Sequence, residues 1–154
     1  MKKTFSVVLL LMSIVSFAQT EVEPVIWHFE TTNLEEDKVE LHITAEIFDK
    51  FHLYSQDLSE GDGPIPTEFN FNLSGSIEKV GSTEENGAKV HYDETWKKDI
   101  SSFTKTAEFI QIFNLLNPDS TVINGTIDYM VCNDVGCVFL GEKFSIDLLK
   151  AKVN

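Results

Sequence analysis

The sequence is short of basic residues. Its 154 residues include 12 Lys and Arg against 25 Asp and Glu, which gives a formal net charge of −13. No basic cluster, low-complexity tract or internal repeat interrupts this acidity. Such a negative surface argues against nucleic acid and anionic membrane surfaces as partners.

The sequence also has no apolar run long enough to span a bilayer. The longest such run, residues 6–17, follows Lys2 and Lys3 and ends at the small residue Ala18. This pattern predicts a secretory signal peptide over residues 1–18, cleaved before Gln19. No cysteine stands at the cleavage site, so no lipid anchor is expected there.

The mature chain, residues 19–154, is the size of one domain and is expected to lie in the periplasm or to be secreted. Cleavage of the signal peptide would remove Lys2 and Lys3. The mature chain would then have 10 basic residues against 25 acidic ones, a net charge of −15. We interpret this acidity as a source of solubility after export.

No segment shows a sustained helical period; the apolar pattern is that of strands. Residues 38–48 are the clearest case, because five apolar residues alternate with polar ones. Further strands are predicted over residues 25–31, 67–73, 76–80, 88–92, 106–115, 121–131 and 137–148. A turn is expected at residues 84–87, and Asn124-Gly125 fits either a hairpin tip or a bulge inside a long strand.

Turn-type residues separate these segments, as in Gly61-Asp62-Gly63-Pro64. Eight or nine short strands without helices predict an all-β, immunoglobulin-like antiparallel sandwich in a single domain. A small barrel is the alternative.

Cysteine is nearly absent, and the two that exist stand close together. Cys132 and Cys137 flank a turn-like segment within β-prone sequence, so they can close a disulfide across a hairpin. Disulfides persist in exported proteins. A clasp around so short a loop contributes about 2 kcal/mol in the chain-entropy model, and a domain of this size can fold without one. Asp134, inside the loop, is expected to raise the thiol pKa values by charge repulsion.

The chain resembles the N-terminal periplasmic domain of the thiol:disulfide interchange protein DsbD, also called the disulfide-bond corrector domain. The resemblance covers residues 25–149. It rests on the closing hairpin at residues 129–139 with its paired cysteines, on the aromatic run at residues 51–55, and on the acidic-aromatic segment at residues 92–96.

The resemblance implies a redox-active Cys132–Cys137 pair that needs no cofactor or metal. Cys137 would attack the partner and Cys132 would resolve the mixed disulfide. Trp96 would cap the pair, with Tyr54, Asp93, Glu94 and Asp134 as neighbours.

The resemblance also implies partners. The electron donor would be a thioredoxin-like domain or a membrane transporter, and the acceptor a periplasmic disulfide isomerase or another oxidised protein. The module itself would have no stable membrane insertion.

The sequence departs from the family in three ways. Many family members follow the second cysteine with an aromatic residue or Leu and then two prolines, whereas Val138-Phe139-Leu140-Gly141 follows it here. Thr95, rather than Trp96, could occupy the capping position. The family protein continues into transmembrane segments, so a chain ending at Asn154 is expected to act as a free-standing module.

Other hypotheses about the role of the two cysteines remain open. The disulfide could be an inert clasp in a non-catalytic secreted sandwich that binds a partner or a carbohydrate. A metal or redox-stress sensor is a third hypothesis, although His28, His42, His52 and His91 show no paired metal-ligand spacing.

Overall fold

The computed structural model describes residues 23–34, 37–58, 63–117 and 119–150, together with the backbone of residues 152–153. The predicted signal peptide, its cleavage site before Gln19 and the domain boundary there lie outside the described residues. Within the described ranges, no helix is long and apolar enough to cross a bilayer.

The chain is built from eleven strands in the part that the structure describes. They are β1 (Val25–Asn33), β2 (Lys38–Ile47), β3 (His52–Tyr54), β4 (Glu68–Asn72), β5 (Ile77–Asn86), β6 (Lys89–Asp93), β7 (Lys98–Phe103), β8 (Thr106–Leu115), β9 (Val122–Cys132), β10 (Cys137–Asp147) and β11 (Lys152–Val153). All of the strand pairings are antiparallel.

The strands form two sheets. The first has the order β11-β1-β2-β8-β5, and the second has the order β10-β9-β3-β7-β6 with β4 also paired to β9. In the first sheet, β1, β2, β8 and β5 correspond to strands A, B, E and D of an immunoglobulin-type sandwich. In the second, β10 and β9 correspond to strands G and F, and β3 and β4 together take the position of strand C. Strands β6 and β7 are added beside strand C. The all-β prediction and the sandwich prediction are confirmed, and the two sheets are not closed into one barrel.

The core lies between the two sheets. The alternation predicted for residues 38–48 is present, since Val39, Leu41, Ile43, Ala45 and Ile47 are all at most 4% exposed. The facing sheet contributes alternate residues of β9 and the end of β10. One buried cluster therefore joins both sheets. Side chains on the outer face of the second sheet are not needed for this core and can form a functional site.

Two local predictions need revision. Asn124-Gly125 is neither a hairpin tip nor a bulge, because both residues pair in an unbroken register with β10 and β4. Residues 84–86 continue β5 instead of turning, and the chain crosses to the other sheet after Asn86. Gly87 stands at this crossing with φ of +92°, a conformation that favours glycine.

Candidate functional site

The two cysteines occupy directly opposed positions on β9 and β10. Cys132 pairs with Cys137 in the ladder, and a disulfide joins them with a Cα–Cα distance of 4.0 Å. So short a separation is typical of a non-hydrogen-bonded antiparallel pair, in which side chains lie close together. The next pair closes the turn, where the backbone N–H of Asn133 donates to the carbonyl of Gly136 at 3.0 Å.

The side chain of Asn133 explains why this turn forms. Its Oδ1 accepts hydrogen bonds from the backbone N–H groups of Val135, at 2.8 Å, and Gly136, at 3.1 Å. Asn is favoured in turns because its side chain can bond the backbone in this way. These local bonds hold the turn that places the two cysteines opposite each other.

The two sulfur-bearing residues have opposite environments. Cys132 is completely buried, whereas Cys137 is exposed at the end of β10. A reacting partner can therefore reach Cys137 and is kept from Cys132. This asymmetry separates the two cysteines into an accessible one and a protected one.

A turn at residues 94–97, which we call the cap loop, covers Cys132. It joins β6 to β7. Trp96 packs in a small cluster with Cys132, Tyr54 and Ile100, whereas Thr95 is exposed. Of the two candidate capping residues, Trp96 is thus the one that lies against the buried cysteine.

Asp93 anchors the cap loop. Its Oδ1 accepts the backbone N–H groups of Thr95, at 2.8 Å, and Trp96, at 3.2 Å, while its carbonyl accepts the N–H of Lys97 at 2.8 Å. Asp93 itself is only 4% exposed. A buried carboxylate needs such donors, because each one offsets part of the cost of removing the charge from water.

A polar network connects Asp93 to the buried cysteine. The hydroxyl of Tyr54 lies 2.7 Å from Asp93 Oδ2 and 3.1 Å from Cys132 Sγ. His52 Nε2 lies 3.1 Å from the same hydroxyl and 3.4 Å from Asp93 Oδ2. Tyr54 is fully buried, so these are the contacts that satisfy its hydroxyl.

The network shifts the pKa values of its members. Burial opposes ionisation of Asp93, but the hydrogen bonds from Tyr54, Trp96 and Thr95 outweigh it and lower the Asp93 pKa below its usual value. Burial lowers the pKa of His52, with the carboxylate of Asp93 acting in the opposite direction. Burial and the bond to Asp93 raise the pKa of Tyr54. At neutral pH the site therefore holds a carboxylate, a neutral imidazole and a protonated phenol.

The remaining predicted neighbours lie at the rim. Glu94 and Asp134 are exposed, and both line a cleft of about 390 Å³ that also reaches His52 and Asp93. Glu94 forms an ion pair with Lys97 at 2.8 Å. The structure thus brings Tyr54, Asp93, Trp96 and Asp134 together around the cysteine pair, with Glu94 turned toward a surface lysine.

Two histidines at this site escaped the sequence analysis. His52 pairs with Cys132 across β3 and β9, and its ring lies 5.9 Å from the ring of His91 on β6. The only available signal was the spacing of His52 and Tyr54, which places both on one face of a strand. The family resemblance brought Tyr54 of this strand to the cysteine pair, but it assigned no role to His52.

The described residues contain no group of three or more His, Cys, Asp and Glu side chains that could hold a metal ion. Both cysteines are already engaged with each other in the disulfide.

Sequence comparison finds no matching family model and no matching curated protein. Comparison of structures does find neighbours. The N-terminal periplasmic domain of ScsB from Proteus mirabilis matches with a TM-score of 0.63 at 14% identity, over 87% of this chain. The chain spans 50% of that ScsB structure.

Two structures from Neisseria meningitidis also match. The reduced DsbD N-terminal domain gives a TM-score of 0.56 at 14% identity, over 86% of this chain and 94% of that one. The DsbD N-terminal domain in complex with the PilB N-terminal domain gives 0.51 at 12% identity, over 87% and 91%. These likenesses show that the chain has the fold of the DsbD and ScsB N-terminal domains.

Proposed function

We propose that this chain, which has the fold of the DsbD N-terminal domain, is an exported thiol–disulfide exchange module that uses Cys132 and Cys137. The observation that carries the proposal is the asymmetry of the pair. Cys137 is exposed, while Cys132 is completely buried beneath Trp96. A purely structural disulfide needs neither an exposed cysteine nor a loop that covers the other one.

The exchange runs through a mixed disulfide. In the reduced module, the Cys137 thiolate attacks a disulfide of the partner, and the partner sulfur that leaves takes a proton from solvent. Cys132 then loses its proton and attacks Cys137 Sγ. The bond between Cys137 and the partner breaks, and the released partner sulfur is protonated. The module loses two electrons and the partner gains two.

A thioredoxin-like domain is the partner that we propose, acting as donor or acceptor of electrons. Around Cys137, the side chains of Val135, Val138 and Phe139 are 94%, 43% and 51% exposed. An apolar rim around a reactive sulfur suits a docking protein better than a small thiol. The Neisseria DsbD domain, similarly, is seen in a complex with another protein domain.

The wider pathway that we propose follows from the same chemistry. A thioredoxin-like domain or a membrane electron transporter would reduce the module, and a periplasmic disulfide isomerase or another oxidised protein would accept its electrons. Periplasmic location agrees with the predicted signal peptide and with the periplasmic domains that share the fold.

The reduction potential of the Cys132–Cys137 pair tests this function. Equilibration in graded glutathione or dithiothreitol buffers, followed by alkylation, should give a value of about −180 to −270 mV, the range of exchange proteins. A value well below about −300 mV would instead indicate a structural clasp in a binding module.

Trapping of a mixed disulfide provides a second test of the function, with a matched control. Cys132→Ala keeps the accessible thiol and lacks the resolving one, so it should accumulate a mixed disulfide with an oxidised thioredoxin-like domain. Cys137→Ala keeps only the buried thiol and should not. Equal trapping by both variants would contradict the assigned roles.

A further inference from the structure

His52 and Cys137 occupy opposite sides of Cys132. Cys132 pairs with His52 on β3 and with Cys137 on β10, so all three side chains lie on one face of the sheet. Tyr54, two residues further along β3, lies on the same face. Its hydroxyl contacts both Cys132 and His52.

The hydroxyl of Tyr54 has one hydrogen and two acceptors. Asp93 Oδ2 at 2.7 Å is the nearer acceptor, and Cys132 Sγ lies at 3.1 Å. A disulfide sulfur accepts weakly, so in the oxidised state the hydrogen belongs to Asp93. A thiolate at Cys132 would be a charged acceptor and would compete for the same hydrogen.

His52 can supply the donor that this competition requires. Its Nε2 lies 3.1 Å from the Tyr54 oxygen and 3.4 Å from Asp93 Oδ2. Without a hydrogen, Nε2 would be an acceptor facing the carboxylate oxygen of Asp93, which is also only an acceptor. The geometry therefore favours the tautomer with the hydrogen on Nε2. That N–H can donate to Asp93 when Tyr54 turns away.

We propose that His52 is a positioning residue for the resolving step, because its ring N–H replaces the Tyr54 hydroxyl at Asp93 and lets that hydroxyl stabilise the Cys132 thiolate. The inference rests on the proposed function, since it concerns the thiol that resolves the mixed disulfide. The polar contacts of His52 are with Tyr54 and Asp93, so it acts on the Cys132 sulfur through them.

The charge balance of the step is simple. The Cys132 thiol gives up its proton, which ends in solvent, Tyr54 keeps its own hydrogen and redirects it to the sulfur, and Asp93 stays ionised. The thiolate then attacks Cys137, the bond to the partner breaks, and the partner sulfur takes a proton from solvent. No step needs a cofactor or an added oxidant.

Several ionisable groups face His52. Asp93, Glu94, His91 and Tyr92 come from β6 and the cap loop, Asp134 comes from the turn between β9 and β10, and Tyr54 comes from its own strand. Burial lowers the pKa of His52 and the charge of His91 acts in the same direction, while the carboxylates of Asp93 and Asp134 raise it by less. His52 therefore acts as a neutral donor near neutral pH.

The test measures the pKa of the Cys132 thiol in a Cys137→Ala background, by NMR of selectively ¹³Cβ-labelled cysteine. His52→Phe removes the donor and should lower the thiolate fraction at a fixed pH by about tenfold, a shift of about one pKa unit. His52→Gln keeps an N–H donor that does not titrate and should restore most of that fraction. His91→Phe removes the neighbouring imidazole, which does not contact Tyr54, and should change the fraction by less than about twofold.

The outcomes separate the two proposals. An unchanged Cys132 pKa in His52→Phe, or a Gln variant as defective as Phe, would overturn the role of His52 even if exchange with a thioredoxin-like domain is normal. The expected order of variants would support that role whatever the reduction potential of the disulfide proves to be. Far-ultraviolet circular dichroism of each variant ensures that only folded proteins are compared.

Discussion

The carboxylate of Asp93 holds the backbone of Trp96 in place, with 3.2 Å between Asp93 Oδ1 and the Trp96 nitrogen. The same carboxylate accepts the hydroxyl hydrogen of Tyr54, which contacts Cys132. One buried acid thus connects the loop that covers the disulfide with the phenol beneath it. This connection makes the cap loop and the sulfur environment parts of one unit.

Trp96→Ala should speed oxidation of the reduced cysteine pair by small oxidants. The indole packs against the buried cluster that contains Cys132, so its removal should open a path to a sulfur that is now completely buried. Oxidation rates with hydrogen peroxide or diamide, followed by thiol labelling, would measure the effect. Trp96→Phe keeps an aromatic ring over the site and serves as the control, with a rate near that of the parent. Equal rates in the Ala variant and the parent would rule out a capping role.

Tyr54→Phe should lower the free energy of unfolding of the oxidised protein by about 1–2 kcal/mol. The change removes the hydroxyl and leaves Oδ2 of the buried Asp93 with only the longer contact to His52. Urea unfolding followed by tryptophan fluorescence measures the difference. Tyr92→Phe is the matched control, because Tyr92 is 53% exposed and should lose less than about 0.5 kcal/mol. A Tyr54 variant as stable as the parent would mean that water replaces the lost hydroxyl.

Much of the architecture could be predicted because the burial pattern is regular. In β2, apolar residues alternate without a break, and each one is buried. The disulfide was also predictable, since two cysteines flanking a turn in β-prone sequence have few other arrangements. The assignment of Tyr54, Asp93 and Trp96 to the site came from the family resemblance. The structure places Tyr54 between Asp93 and Cys132 and packs Trp96 against the cluster that contains Cys132, while their roles stay a prediction.

What could not be predicted depends on contacts between distant segments. β7 contains Ser101 and Ser102 and has no clear alternation, and β3 is only three residues long. Their strand conformation is imposed by pairing, since β3 pairs with β7 and β9, and β7 pairs with β3 and β6. His52 reaches Cys132 only through that pairing, so its place in the site was invisible to an analysis of local pattern.

Reduction of the disulfide should destabilise the domain modestly without unfolding it. The closed loop is short, so the chain-entropy contribution is about 2 kcal/mol. Besides the disulfide, eleven register pairs join β9 and β10. Urea unfolding with and without dithiothreitol should show a lower midpoint and a similar slope. Complete unfolding on reduction would contradict the exchange proposal, because an exchange module must be folded in both redox states.

Gly125→Ala should destabilise the protein by about 1–3 kcal/mol. A Cβ at this position would overlap the ring of Phe144 and the carbonyl oxygen of Asn70, so neighbouring strands would have to move. Thermal or urea unfolding measures the loss. Gly136→Ala is the control, because a Cβ there has open space around it. If both variants were equally stable, the close packing of β4, β9 and β10 at Gly125 would be wrong.

Mild acid should weaken the fold through His52. Burial lowers the folded-state pKa of His52 below 6.5, so between 6.5 and that lower value the unfolded chain binds more protons than the folded one. The free energy of unfolding should therefore fall as the pH drops below about 6.5. A second loss should follow as the pH falls through the ordinary Asp pKa toward the lower folded-state value, because folding also lowers the pKa of Asp93. Urea unfolding of the oxidised protein at pH values from 7.5 to about 5 would measure the first phase.

His52→Gln should flatten the dependence of the free energy of unfolding on pH in this range. His42→Gln, on the other sheet, controls for the loss of an imidazole. A slope that survives in His52→Gln would assign the acid sensitivity to another group.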